Sequence, residues 1–91
     1  MFNRGETFKN NFERKFQICL EAVKNNGLSL KSVPNKFKTY EICLEAVKNN
    51  GLSLEYVSYN YKTLELCTEA IKNNGLALKY IIDILNNKIH Q

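Results

Sequence analysis

The residues that build reactive sites are scarce in this 91-residue chain. Its single histidine, His90, stands beside the C-terminus, a poor place for a positioned general base. Three cysteines, Cys19, Cys43 and Cys67, form no CxxC pair, and their odd number does not fit a secreted disulfide framework. Reduced thiols are expected. The four glycines stand singly, which excludes a glycine-rich phosphate loop. Neither catalysis nor a cofactor is expected. No apolar run approaches the roughly 18 residues needed to cross a bilayer. The opening MFNRGETFKNNFERKF also lacks the apolar stretch and small-residue cleavage site of a secretory signal. A cytoplasmic protein with no membrane partner is expected.

What is present suits a folded protein. Apolar residues at 44% and charged residues at 24% argue against a disordered or fibrous chain. The length suits one small domain with a modest core, which calls for a regular architecture. A net charge of +4 and a pI near 9.0 favour loose attraction to anionic partners, without the dense Lys/Arg clusters of dedicated nucleic-acid binders. Thirteen asparagines, with many Lys and Ile, read as the composition of an AT-rich genome rather than as mechanism.

The dominant feature is repetition. QICLEAVKNNGLSL returns 24 residues later as EICLEAVKNNGLSL, and again in looser form as ELCTEAIKNNGLALKY. The alignment places Gly27, Gly51 and Gly75 in register, with Cys19/Cys43/Cys67, Ala22/Ala46/Ala70, Asn26/Asn50/Asn74 and Leu30/Leu54/Leu78. Such a period marks an array in which each unit buries its apolar face on the next, about three units being the minimum for stability. The predicted architecture is all-α, a short helical-repeat array. One domain, 1–91, comprises an N-terminal cap or tail (1–13), repeats 14–37, 38–61 and 62–85, and a C-terminal tail (86–91).

Each unit reads as one long and one short helix. In the middle repeat Thr39 caps the long helix, Glu41 sits in its first turn and Lys48 in its last, each complementing the helix dipole. Gly51 is expected to stop it in the left-handed conformation beside Asn50. Ser53 would then cap the short helix, with Leu52 and Val57 as a hydrophobic staple. Leu28, Ser29 and Val33 repeat this arrangement, while Ala77 replaces the serine in the third unit. Pro34 and Ser58 mark where the short helices end, and ALKYIIDILNNKI reads as a longer terminal helix. At 100° steps Tyr40, Ile42, Cys43, Leu44, Ala46 and Val47 span an apolar arc of roughly 200°, which implies neighbours on two sides. Glu41, Glu45, Lys48 and Asn49 should face water. Phe8, Phe12 and Phe16 fall at i, i+4, i+8 and suggest an extra helix capping the first repeat.

KTYEICLEAVKNNGLSLEYVS and KTLELCTEAIKNNGLALKYI resemble the tandem helical repeats of an uncharacterised family, a domain of unknown function found in bacterial, phage and giant-virus proteins. The shared core is A-V-K-x-N-G-x-x-L-x-Y, carried here from Ala46 and from Ala70, and the resemblance covers nearly all of residues 14–82. It implies an all-helical array and no established activity. The chain departs from the pattern in placing cysteine before the alanine in all three units, and Lys31-Ser32 where an aromatic is usual.

Candidate sites follow from the array. Equivalent positions on stacked helices lie about 8 to 10 Å apart, whereas zinc holds each thiolate at about 2.3 Å. The three cysteines are therefore expected as small buried hydrophobes and not as metal ligands. Glu21/Glu45/Glu69 forms an acidic row and Lys24/Lys48/Lys72 a basic one beside it, both read as solvated faces. Aromatics cluster at and after the short helices: Phe37, Tyr56, Tyr59, Tyr61 and Tyr80, next to Lys36, Lys38, Lys62 and Lys79. Tyr59 and Tyr61 stand in a connector, Ser58-Tyr59-Asn60-Tyr61, whose turn needs no large side chain. The expected function is a noncatalytic module binding a protein partner through this surface. A phage or viral origin would make an inhibitor of host defence a special case. The alternatives are nucleic-acid binding along Arg14, Lys38 and Lys62 with Lys36, or self-association into a homodimer through the open repeat ends.

Overall fold

The computed structural model describes residues 10–82. Among them the chain is helical with no strand, and no helix is long and apolar enough to cross a membrane. Three α-helices, α1 (Asn11–Asn25), α2 (Tyr40–Asn49) and α3 (Leu64–Asn73), stack side by side. Each is followed by a 3-10 helix: η1 (Gly27–Ser32), η3 (Gly51–Tyr56) and η5 (Gly75–Ala77). Two shorter 3-10 turns, η2 (Asn35–Phe37) and η4 (Tyr59–Tyr61), lead back to the next α-helix. The array has two layers, α on α and 3-10 on 3-10.

Local chemistry accounts for the starts. The Thr39 and Thr63 hydroxyls accept from the Ile42 and Leu66 N–H groups at 3.3 and 3.1 Å, capping α2 and α3. The matching position in the first repeat is Lys15, which cannot cap. The helix continues upstream until the Asn10 carboxamide accepts from Glu13 N–H at 2.8 Å. Phe12 and Phe16 are therefore part of α1 and not of a separate capping helix; Phe8 lies outside the described residues.

The helix ends differ from expectation. Gly51 does not take the left-handed conformation, and neither do Gly27 and Gly75. Asn26, Asn50 and Asn74 turn the chain instead, from extended backbone with φ of −151°, −148° and −152°. Asn50 donates its N–H to the Ala46 carbonyl at 2.8 Å, closing the α-helix, while its side chain accepts from Leu52 N–H at 3.0 Å, opening η3. One asparagine thus caps two helices. Ser53 is displaced from the capping role it was expected to fill. It lies inside η3, fully buried, and its hydroxyl has no hydrogen-bond partner. The Leu52–Val57 staple falls with that cap, and Val57 closes η3 as a buried residue.

The asparagine route leaves glycine free for close approach. A Cβ on Gly51 would collide with the Ala70 carbonyl oxygen of the next repeat, and one on Gly27 with that of Ala46. Asn49, expected to be merely solvated, locks the same joint. Its Oδ1 accepts from Gly27 N–H at 2.7 Å and its Nδ2 donates to the Lys24 carbonyl at 2.9 Å. Asn73 repeats this on Gly51 N–H (2.6 Å) and the Lys48 carbonyl (3.1 Å). Each bond satisfies a backbone group that the helix end would otherwise leave orphaned.

Between the layers runs one apolar core. Val23, Leu30, Ile42, Val47, Leu54 and Leu66 are fully buried, with Cys43 and Ala46 beside them. As the wide apolar arc predicts, α2 is covered on both sides. After Ala77 the third repeat departs from the other two. Leu78 takes the α conformation, and residues 78–82 form an α-helical segment where the first two repeats continue as 3-10. The rest of the expected terminal helix, residues 83–85 of the third repeat and the tail with His90 lie outside the described residues.

Candidate interaction cleft between the connectors

The two connectors η2 and η4 stand one repeat apart and leave a cleft of about 280 Å³, lined by Asn35, Lys38, Ser58, Asn60 and Tyr61. The connectors are near-copies in backbone as well as in position. Lys38 and Lys62 close them with φ/ψ of −85°/68° and −84°/67°, and Thr39 and Thr63 then donate their N–H groups to the Phe37 and Tyr61 carbonyls, both at 2.9 Å. The lining carries amides, hydroxyls and one ammonium, and no carboxylate. Its amides and hydroxyls both donate and accept, and the Lys38 ammonium adds a positive charge that favours anionic groups.

Tyr61 is fixed on this wall by packing. Its ring meets that of Tyr40 edge-on, with centroids 6.2 Å apart and planes at 70°. Tyr40 is itself held, sharing a 2.9 Å hydrogen bond with the Thr63 hydroxyl and donating to Glu65 Oε1 at 3.0 Å. Tyr59, two residues before Tyr61 on the same turn, is 53% exposed.

The remaining expected aromatics are differently placed. Phe37 is 3% exposed and belongs to the core, so it drops out as a surface contact. Its ring lies 4.8 Å from that of Phe12, with the Lys36 ammonium 5.3 Å from its centre. Tyr56 and Tyr80 are half-buried against the core. The Tyr80 hydroxyl donates to Glu55 Oε1 at 3.2 Å, a bond between repeats.

Of the basic residues, Arg14 and Lys36 are exposed, while Lys38 and Lys62 are half-buried. Lys38 shares the cleft with Tyr61, so the expected protein and nucleic-acid surfaces meet in one place. In the outer basic row Lys72 pairs with Glu69 at 3.7 Å. Burial pushes the Cys43 thiol up to about 11, outweighing the attraction of Lys38 for the thiolate. Cys67 is raised for the same reason, with Lys62 opposing. Neither is an activated nucleophile. Among the described residues no cluster of three or more His, Cys, Asp or Glu could hold a metal.

Asn35, Ser58 and Asn60 are cleft residues that sequence reasoning did not single out. The period of 24 held the signal, because it sets Asn35–Lys38 opposite Tyr59–Lys62 across a repeat joint.

Comparison with known families adds one finding. Residues 15–62 match the family described as Domain of unknown function (DUF4116), which is more than half of the chain. The chain belongs to that family. No curated protein and no solved structure matches it.

Proposed function

We propose that this DUF4116 member is a noncatalytic interaction module that binds a protein partner through the connector cleft. The observation carrying this reading is the contrast among its tyrosines. Tyr40 and Tyr80 spend their hydroxyls on bonds between repeats, whereas Tyr59 is exposed beside a cleft with Tyr61 and Lys38 on its wall. A tyrosine held on a short turn presents apolar area and a polar tip while losing little rotamer freedom on docking. The lining, with one ammonium and no carboxylate, suits a partner segment that brings a carboxylate. An inhibitor of host defence, carried by a phage or virus, is one role such a module would fill.

A second reading, nucleic-acid binding along Arg14, Lys38 and Lys62 with Lys36, draws support from the matching backbone geometry of Lys38 and Lys62. Half-burial of both lysines weighs against it. Capture of partners from a cell lysate, with and without nuclease, separates the two. The protein reading expects a saturable partner that survives nuclease, whose affinity falls at least about tenfold with Tyr59→Ala plus Lys38→Ala. Partners lost with nuclease, with affinity falling steeply as salt rises, would replace it with the second reading. An unchanged affinity in the double variant would remove the cleft from either.

A further inference from the structure

Each joint in the stack has two halves. The earlier repeat supplies a glycine, with its N–H and Cβ-free face, and the carbonyl of the last-turn lysine. The later repeat supplies an asparagine side chain and an alanine carbonyl. Gly27 and Lys24 meet Asn49 and Ala46; Gly51 and Lys48 meet Asn73 and Ala70.

Among the described residues, each end of the stack keeps one half of a joint without its counterpart. Among the described residues nothing stands within 4 Å of where a Gly75 Cβ would lie. Asn25, the counterpart of Asn49 and Asn73, is exposed, and its side chain makes no hydrogen bond among the described residues. The apolar surface agrees. Ile18 is 61% exposed where its counterpart Ile42 is fully buried. Ile71 and Leu78 are 36% and 47% exposed where Val47 and Leu54 are fully buried.

The geometry points to head-to-tail stacking of one copy on another. The third repeat of one chain receives the first repeat of the next, with Asn25 on Gly75 N–H and the Lys72 carbonyl and the Ala22 carbonyl over Gly75. The occupant is argued from sequence identity. Residues 18–30, ICLEAVKNNGLSL, are the same as residues 42–54, the segment that already fills this place against the first repeat. The contact continues an interface that the chain builds twice within itself. It is heterologous, so it propagates into open chains rather than closing as a symmetric pair. It is also weaker than the joint between the second and third repeats, because position 32 is serine and cannot repeat the bond that Tyr80 makes to Glu55. These end faces are separate from the connector cleft.

Sedimentation of the full chain over a concentration series tests the proposal, with Asn25→Ala and Gly75→Ala as the variants. Neither change touches a contact within the described stack. The wild type is expected to gain mass steadily with concentration. Each variant alone is expected to associate at least about tenfold more weakly, since Asn25→Ala deletes two hydrogen bonds and Gly75→Ala blocks the close approach. An equimolar mixture of the variants should form dimers and stop there, because each retains one intact and complementary end. A wild type that stays monomeric to millimolar concentration overturns the proposal. So does association that both variants leave unchanged, or a mixture that behaves like the separate variants.

Discussion

The same substitution at equivalent glycines should change stability in opposite directions. Gly51→Ala places a methyl against the Ala70 carbonyl oxygen, and backbone on both sides prevents a small side-chain adjustment from relieving it. The joint between the second and third repeats must open, which also stretches the 2.6 Å bond from Gly51 N–H to Asn73. Overpacking of this kind costs about 1–3 kcal/mol, and losing the satisfied N–H adds about 1 kcal/mol. A loss of about 3 kcal/mol is expected, a large part of the roughly 5–14 kcal/mol available to a chain of this length. Gly75 lies at the same place in its repeat, without left-handed backbone and with no described residue within 4 Å of where the Cβ would be. Alanine there restricts the unfolded chain at no steric cost and should stabilise by about 0.4–1 kcal/mol. Urea unfolding followed by circular dichroism, at protein concentrations low enough to keep chains apart, measures both. The midpoint for Gly51→Ala should fall well below wild type and that for Gly75→Ala should lie above it. If the two variants unfold within about 1 kcal/mol of each other, close packing is not why glycine occupies the joint.

The asparagines offer a parallel contrast. Asn49→Ala should cost about 2 kcal/mol by removing two bonds to backbone, while Asn25→Ala in dilute solution should change the same unfolding curve by less than about 0.5 kcal/mol. Ser53→Ala removes a buried hydroxyl that has no partner and copies Ala77, so thermal unfolding should show unchanged or higher stability, by up to about 1 kcal/mol. Cys43 is held protonated from 9.0 to about 11 in the fold. The unfolded chain releases that proton first, so stability is full below pH 9 and falls as pH rises towards 11, by on the order of 2 kcal/mol. Denaturation of wild type against Cys43→Ala across pH 8 to 11 should show the extra slope only in wild type. Inserting a second copy of residues 38–61 after Tyr61 adds a joint whose asparagine, glycine, tyrosine and threonine partners are all retained, so both the denaturation slope and the midpoint should increase.

Much of this fold was legible because each repeat states its helix in full. Threonine caps, first-turn glutamates, last-turn lysines and an apolar arc too wide for one neighbour all appear in the sequence of α2, and the structure shows each of them. What misled was local reasoning applied to a residue whose role is not local. Asn-Gly after a helix ordinarily means a left-handed stop, and nothing within one repeat says that the glycine is instead needed by a carbonyl 19 residues ahead. Ser53 misled in the same way, because a serine two residues after a glycine reads as a cap until the preceding asparagine is known to have taken the task. Asn49, the first asparagine of its Asn-Asn-Gly, reads from one repeat as a solvated residue, although its bonds to the preceding repeat, like those of Asn73, hold the joint. Of the expected residues, Tyr61 and Lys38 share the cleft and Tyr59 is exposed on the same turn as Tyr61, whereas Tyr56 and Tyr80 pack against the core and Phe37 is part of it. Phe37 stands where Tyr61 does one repeat later, and Phe12 covers it because the Lys15 position let α1 run on upstream.

The identical segments 18–30 and 42–54 act as an internal control on how sequence sets environment. Thirteen residues with the same chemistry produce a solvent-facing Ile18 in one copy and a fully buried Ile42 in the other. Intrinsic preference cannot account for that difference, since it is the same in both. Position in the stack accounts for it, because burial in such an array is decided by whether a neighbouring repeat is present. The energy of the fold therefore resides largely in the joints, and a joint is a property of two repeats rather than of one. The sequence of a repeat specifies both of its faces whether or not they are used. The asparagine that finds no partner among the described residues at the first repeat, and the glycine that none of them crowds at the third, are the same groups that hold the middle of the array together.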